Sequence, residues 1–140
     1  MRLTHWICGL TVAAASGCSS SLTAPPNGLP VRVSLVAFSN DGLPSVAAAG
    51  DSVAVVAANP NNPCASHPTV VAGLRSGSLI MTLSTAIATR PCPVLAIPTA
   101  FSVTVHDVPS GTRAARLVLR TVNAGKTEES TLASTTITLP

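Results

Sequence analysis

Hydrophobic and polar side chains alternate along most of the chain from residue 31 onward, and breaker residues interrupt the alternation at short intervals. A period of two puts every second side chain on one face, which is typical of a strand that buries that face. The alternation predicts seven strands, over residues 31–38, 52–58, 69–74, 79–83, 101–106, 115–120 and 134–139. Strands of this number and length fit an antiparallel two-sheet sandwich. The predicted fold class is therefore all-β, with one domain over residues 31–140.

Turn signals separate the predicted strands. The pair Ser76-Gly77 predicts a two-residue hairpin. The run at 59–63, Asn-Pro-Asn-Asn-Pro, ends the second strand because its prolines donate no backbone hydrogen bond. Further turns are predicted at 40–42, 109–112 and 123–126, where Gly, Asn, Asp or Pro are concentrated.

The C-terminal part of the chain resembles bacterial immunoglobulin-like domains. The segment 101–112, FSVTVHDVPSGT, followed by RLVL at 116–119 and TITL at 136–139, looks like the last three strands of such domains. In that family a short Pro/Gly turn precedes the penultimate strand. The chain departs from the family's pattern in having neither a tyrosine nor a tryptophan in this domain, since Trp6 is its only tryptophan. The resemblance implies an immunoglobulin-like sandwich.

Residues 1–17 have the composition of an export signal, with Arg2 as the only charge and an apolar stretch over 6–15. The run Ala15-Ser16-Gly17-Cys18 resembles the lipobox of bacterial lipoproteins, with Ala15 standing where the family prefers leucine. The resemblance implies cleavage before Cys18 and a diacylglycerol thioether on its sulfur. The alternatives are an ordinary secretory signal cut near 13–15 and a short N-terminal core helix.

The segment that follows Cys18 predicts a flexible tether over residues 18–30. It is rich in serine and proline, contains one glycine, and has neither a helical nor an alternating apolar period. A multiply acylated N-terminus anchors a protein stably without a spanning helix. Ser19 stands where family analogy puts an aspartate in lipoproteins retained at the inner membrane, so an outer-membrane location is favoured.

Two thiols remain after processing, because Cys8 leaves with the signal and Cys18 takes the lipid. Exported proteins meet an oxidising compartment, so Cys64 and Cys92 are predicted to form a disulfide. A metal site is the alternative, since Cys64 and His67 have the spacing of zinc ligands. Cys92 and His106 would complete such a set, but no pattern brings His106 close to Cys64.

Composition and charge exclude several classes of function. The chain has 8 basic and 5 acidic side chains, a net charge of +3 and 2% aromatic residues, too little for a nucleic-acid interface. Its mean hydropathy is +0.49, yet no run reaches the roughly 18 apolar residues of a spanning helix. Four of the five acids lie in predicted turns or in a flanking polar run, without the apolar neighbourhood that is typical of a carboxyl group used in acid/base catalysis.

Histidine and methionine give weak grounds for a catalytic or metal site. His106 beside Asp107 suggests part of a Ser-His-Asp arrangement, but neighbouring side chains on a strand point to opposite faces. Met81 alternates with leucines and is predicted to fill the core rather than to bind copper. We therefore expect that the protein is not an enzyme and that it binds neither a cofactor nor a metal ion.

Four cations lie near the last two strands, at Arg113, Arg116, Arg120 and Lys126. Arg116 and Arg120 are predicted to share one outward face. This candidate basic surface has the charge to contact anionic lipid or polysaccharide, and a merely solubilising strand face is the alternative.

These observations predict a lipid-anchored cell-envelope protein, held in the membrane by the lipid on Cys18. Its domain is expected to be a monomeric, non-catalytic structural module or to bind an envelope protein. The alternatives are a polysaccharide- or peptidoglycan-binding module, a small hydrolase, and a periplasmic protease inhibitor that presents the loop at 91–93.

Overall fold

The computed structural model describes residues 28–37, 42–60, 65–87 and 98–140. This part of the chain forms eight strands, which are β1 (Val31–Ala37), β2 (Ser45–Ala49), β3 (Ser52–Ala58), β4 (Ala65–Arg75), β5 (Ser78–Ile87), β6 (Thr99–Val105), β7 (Gly111–Asn123) and β8 (Lys126–Leu139). The strands form two four-stranded sheets, sheet 1 in the order β1-β6-β3-β2 and sheet 2 in the order β4-β5-β7-β8. The predicted all-β sandwich is confirmed.

The core lies between the two sheets and is built from the alternating apolar positions. In β3, β6 and β7 every second side chain is buried, so the period of two in the sequence reports the inward face. Phe101 is the largest fully buried side chain, and Met81 lies in the core as predicted. The other fully buried large side chains are Leu79, Leu83, Leu117, Leu119, Val53, Val55, Val103, Val105 and Val108.

Two tight hairpins have the backbone geometry that their residues predict. Ser76 and Gly77 have φ of 48° and 77°, and Ala124 and Gly125 have φ of 48° and 79°. Positive φ at both central residues is the geometry of a type I′ turn, whose twist matches that of the strands it joins. The turns predicted at 76–77 and 123–126 are therefore confirmed.

One strand was not predicted. β2 (Ser45–Ala49) pairs antiparallel with β3, with Ala49 opposite Ser52 across a turn at which Gly50 has φ of 59°. Its sequence, SVAAA, is poor in the β-branched and aromatic residues that mark strands, and three of its five side chains are alanines. Pairing with β3 therefore sets its conformation.

One strand pair departs from the antiparallel pattern that the sequence predicts. β5 and β7 run parallel, from Leu79 opposite Ala115 to Ala86 opposite Val122. β6 lies between them in the chain but belongs to sheet 1, so the chain crosses to the other sheet before it returns. Parallel neighbours need a long crossover of this kind. Sheet 2 is therefore mixed, whereas sheet 1 is antiparallel.

The first described residues lie beside β4, an edge strand of sheet 2. The backbone N–H of Leu29 donates to the carbonyl of Ala72 at 2.8 Å, and this bridge precedes β1. Leu29 and β1 thereby link the edge of sheet 2 to sheet 1. The part of the chain that the structure describes contains no helix long and apolar enough to cross a membrane.

Candidate functional site

The outward face of sheet 2 carries two of the four predicted basic residues. In β7 the side chains at 115, 117, 119 and 121 are buried, so those of Arg116 and Arg120 point away from the core. The prediction that these two arginines share one face is confirmed. Across the sheet, Arg116 lies between Ile80 and Ser134, and Arg120 between Ser84 and Glu129.

Arg120 forms an ion pair with its cross-strand neighbour. Its Nε and Nη2 donate to Oε1 of Glu129 at 2.9 and 2.7 Å. Both side chains are about half exposed, so the pair contributes about 0.2–1 kcal/mol to stability. The charge of Arg120 is offset within the face, whereas Arg116 forms no ion pair with any described residue.

Arg113 does not belong to this face. Its Nη2 donates to the carbonyls of Pro109 at 2.7 Å and Ser110 at 2.5 Å, in the turn that leads into β7. Lys126 lies at the tip of the β7–β8 hairpin, opposite Asn123. The structure therefore does not bring the four predicted basic residues together.

We expect Arg113→Gln to destabilise the fold by about 1 kcal/mol, because the turn carbonyls lose a charged donor. Urea denaturation followed by circular dichroism measures the change. Arg116→Gln is the matched control, and its effect should stay within about 0.5 kcal/mol, as for an exposed surface substitution. Equal effects of the two substitutions would contradict the role of Arg113 in the turn.

A further arginine joins the outward face of sheet 2. Arg75, at the end of β4, pairs with Ser78, whose neighbour Leu79 points inward. Arg75 therefore points outward, and it forms no ion pair with a described residue. Sequence reasoning missed it because its proximity to Arg116 depends on the register of β4, β5 and β7.

Apolar side chains lie beside these two arginines, with Ile80 next to Arg116 and with Val71 and Val118 in the following row, on the side away from Arg75. Val71 is 50% exposed, and Ile80 and Val118 are partly exposed on the same face. Gly73 leaves a gap beside Ile80, since a Cβ at Gly73 would meet nothing within 4 Å. We call the set Val71, Arg75, Ile80, Arg116 and Val118 the cationic face.

A second polar cluster joins the start of β3 to the end of β6. Oγ of Ser52 lies 2.9 Å from Nδ1 of His106 and donates to Oδ1 of Asp51 at 3.1 Å. The N–H of Val108 donates to the carbonyl of Asp51 at 2.9 Å, and the N–H of His106 donates to the carbonyl of Pro30 at 2.8 Å. These four hydrogen bonds tie three chain segments together.

The surroundings of the imidazole decide what this cluster can do. Ser52 has one hydroxyl proton, which can go to Oδ1 of Asp51 or to Nδ1 of His106, and the roles at Nδ1 depend on the tautomer of the ring. A serine nucleophile also requires a third group that orients the histidine, and no described carboxylate forms a hydrogen bond with the imidazole of His106. Sequence reasoning considered His106 with Asp107 and missed Ser52, which the β3–β6 register places beside His106.

The remaining candidate residues give no further site within the described ranges. Asp51, Asp107, Glu128 and Glu129 are exposed, and no three described His, Cys, Asp or Glu side chains lie close enough to hold a metal ion. Cys18, Cys64 and Cys92 lie outside the described residues, as does Asp41. No family model, curated protein or solved structure matches the chain.

Proposed function

We propose that the protein is a lipid-anchored envelope protein whose sandwich is a non-catalytic structural or protein-interaction module. The observation that carries the proposal is the point at which the chain enters the fold. Leu29 already pairs with Ala72, which leaves the stretch 19–28 between the proposed lipid on Cys18 and the sandwich. At about 3.3 Å per extended residue, that stretch spans up to roughly 30 Å. A tether of this reach suits a domain held at a membrane surface.

The polar groups of the sandwich support a non-catalytic role. Among the described residues the acids are exposed, and Glu129 is engaged by Arg120. Ser52 and His106 belong to the cluster that ties three chain segments together, and no described carboxylate forms a hydrogen bond with the imidazole. A serine nucleophile uses a base that a third group orients, so these contacts support a structural role for the cluster.

The register of β4 and β5 supports the proposed disulfide. Ala65 pairs with Ile87 at the end of the hairpin opposite the turn at 76–77. Cys64 directly precedes Ala65, and Cys92 follows Ile87 by five positions in the chain. A bridge between the two cysteines would close the open end of this hairpin.

We further propose that the protein resides at the outer membrane, acts as a monomer and binds an envelope protein. The alternative of a polysaccharide- or peptidoglycan-binding module has less support, because the domain contains only two phenylalanines for sugar stacking and Phe101 is fully buried. Pull-down from envelope extracts tests the choice. One stoichiometric protein partner supports interaction, and retention on cell-wall material supports glycan binding.

Palmitate labelling tests the anchor. We expect the wild-type chain to incorporate palmitate in bacterial cells, and Cys18→Ala to lose the label entirely, because the acceptor sulfur is gone. Cys8→Ala is the matched control and should be labelled like the wild type, since Cys8 lies within the proposed signal. Equal labelling of both variants, or an unlabelled wild type, would refute the lipoprotein assignment.

A further inference from the structure

We propose that the cationic face of sheet 2 rests on the anionic surface of the membrane that holds the protein. This inference rests on the proposed lipid anchor and adds which side of the sandwich faces the bilayer. The ligand is anionic phospholipid: Arg75 and Arg116 each bind the phosphate of one headgroup, and the aliphatic side chains of the face lie at the headgroup boundary.

The composition of the face matches such a surface. Guanidinium groups bind phosphate with two donors in a fixed geometry, and shallow aliphatic side chains add apolar contact with the interface. The row Gly73, Ile80 and Arg116 runs directly across three strands, and Arg75 lies one row further along β4. At a strand spacing of about 4.8 Å and a rise of about 3.3 Å per residue, the Cα atoms of the two arginines are roughly 12 Å apart. Two headgroups can therefore bind at once.

The attachment point of the tether favours this face over the others. The N–H of Leu29 bonds to Ala72, which lies between Val71 and Gly73 on β4. The proposed tether therefore joins the described residues at the edge of this same sheet. A short tether raises the effective concentration of the surfaces nearest to its attachment. The outward face of sheet 2 borders that edge.

Charge argues against a second copy of the chain as the occupant. A symmetric contact through this face would bring Arg75 and Arg116 against the same residues of the partner. Like charges at an interface are unfavourable, and Glu129, the acid on this face, is engaged by Arg120. An anionic bilayer supplies the opposite charge over the whole face.

Tryptophan reporters test which face meets the lipid, because the only natural tryptophan is Trp6 in the proposed signal. Val71→Trp places a reporter on the cationic face. Ser34→Trp is the matched control, since Ser34 lies exposed on the outward face of β1, the edge strand of sheet 1. The full-length gene is expressed, the processed chain is purified from the envelope, and each variant is mixed with excess vesicles of brominated phosphatidylglycerol.

We expect the bromine to quench Val71→Trp strongly and Ser34→Trp weakly. In the Val71→Trp chain, Arg75→Gln and Arg116→Gln should each lower the ratio of docked to undocked protein about fivefold, and together about thirtyfold. Arg32→Gln, an exposed cation on sheet 1, should leave the ratio unchanged. Vesicles of brominated phosphatidylcholine should give little quenching, and added salt should weaken the docking.

Equal quenching at the two positions would overturn the inference, and so would quenching at Val71→Trp that persists after both arginine substitutions. Quenching that depends on protein concentration instead of lipid charge would also overturn the inference, because it would show that the face binds a second copy of the chain. Failure of the anchor is read separately, as loss of palmitate label. Quenching at the two tryptophan positions is compared only in vesicle-bound molecules. The ratio of the two quenching values therefore shows which face meets the lipid even when the palmitate label is lost.

Discussion

Phe101→Ala is expected to destabilise the sandwich by about 3–5 kcal/mol. Phe101 is completely buried in β6 and faces the core that both sheets share. Its removal loses the burial of the ring and leaves a cavity that the surrounding strands fill only in part. Domains of this size are stable by about 5–15 kcal/mol, so the loss is a large fraction of the total. Urea denaturation followed by far-ultraviolet circular dichroism measures it.

Leu35→Ala is the matched control for this substitution. Leu35 lies directly opposite Phe101 in the β1–β6 register, but its side chain is 42% exposed. Its truncation removes little buried surface and should cost about 1 kcal/mol. Equal losses for the two substitutions would contradict the position of the core. Retention of full stability by Phe101→Ala would do so as well.

The core could be predicted from the sequence because alternation is a local signal. The buried residues of β3, β6 and β7 stand at every second position of an apolar run, except Ala100, which is buried next to Phe101, and Thr121, which is polar. The signal for the tight turns is equally local, since Gly77 and Gly125 mark the positive φ of two-residue hairpins. Such features depend on neighbours in the chain and need no knowledge of pairing.

Strand ends were harder to predict because pairing with a neighbour extends a strand beyond the residues whose sequence favours a strand. The third predicted strand begins at Thr69, directly after Pro68, whereas the matching strand β4 starts at Ala65 and includes Pro68. Proline is tolerated in β4 because β4 is an edge strand, and the register with β5 shifts between Ser66 and Thr69. β8 likewise begins at Lys126, since its polar first half pairs with β7.

The two candidate sites required the long-range register, which the sequence does not display. Ser52 meets His106 because Val53 is opposite Val105, a pairing of residues far apart in the chain. Arg75 and Arg116 come to one face only through the parallel pair of β5 and β7. A shift of one residue would turn either set to the opposite side of its sheet. Charge and residue type alone therefore grouped Arg113 with Arg116, although Arg113 binds a turn.

Removing both cysteines of the proposed bridge is expected to cost about 3.5 kcal/mol of stability. A link between Cys64 and Cys92 closes a loop over residues 64–92, and the loop-length model assigns that amount to the restricted unfolded chain. The double variant Cys64→Ala/Cys92→Ala is compared with the wild type in urea. Mass spectrometry of the unreduced wild type should show the two cysteines joined.

Chemical reduction supplies the matched control. A thiol reductant should lower the stability of the wild type by the same amount and leave the double variant unchanged, because the variant has no bridge to lose. Amides of the core strands, which exchange through global unfolding, should lose protection by the same amount, because the bridge acts on the unfolded chain. Two free thiols in the mature chain, or a wild type insensitive to the reductant, would disprove the bridge and return Cys64 and Cys92 to the set of candidate metal ligands.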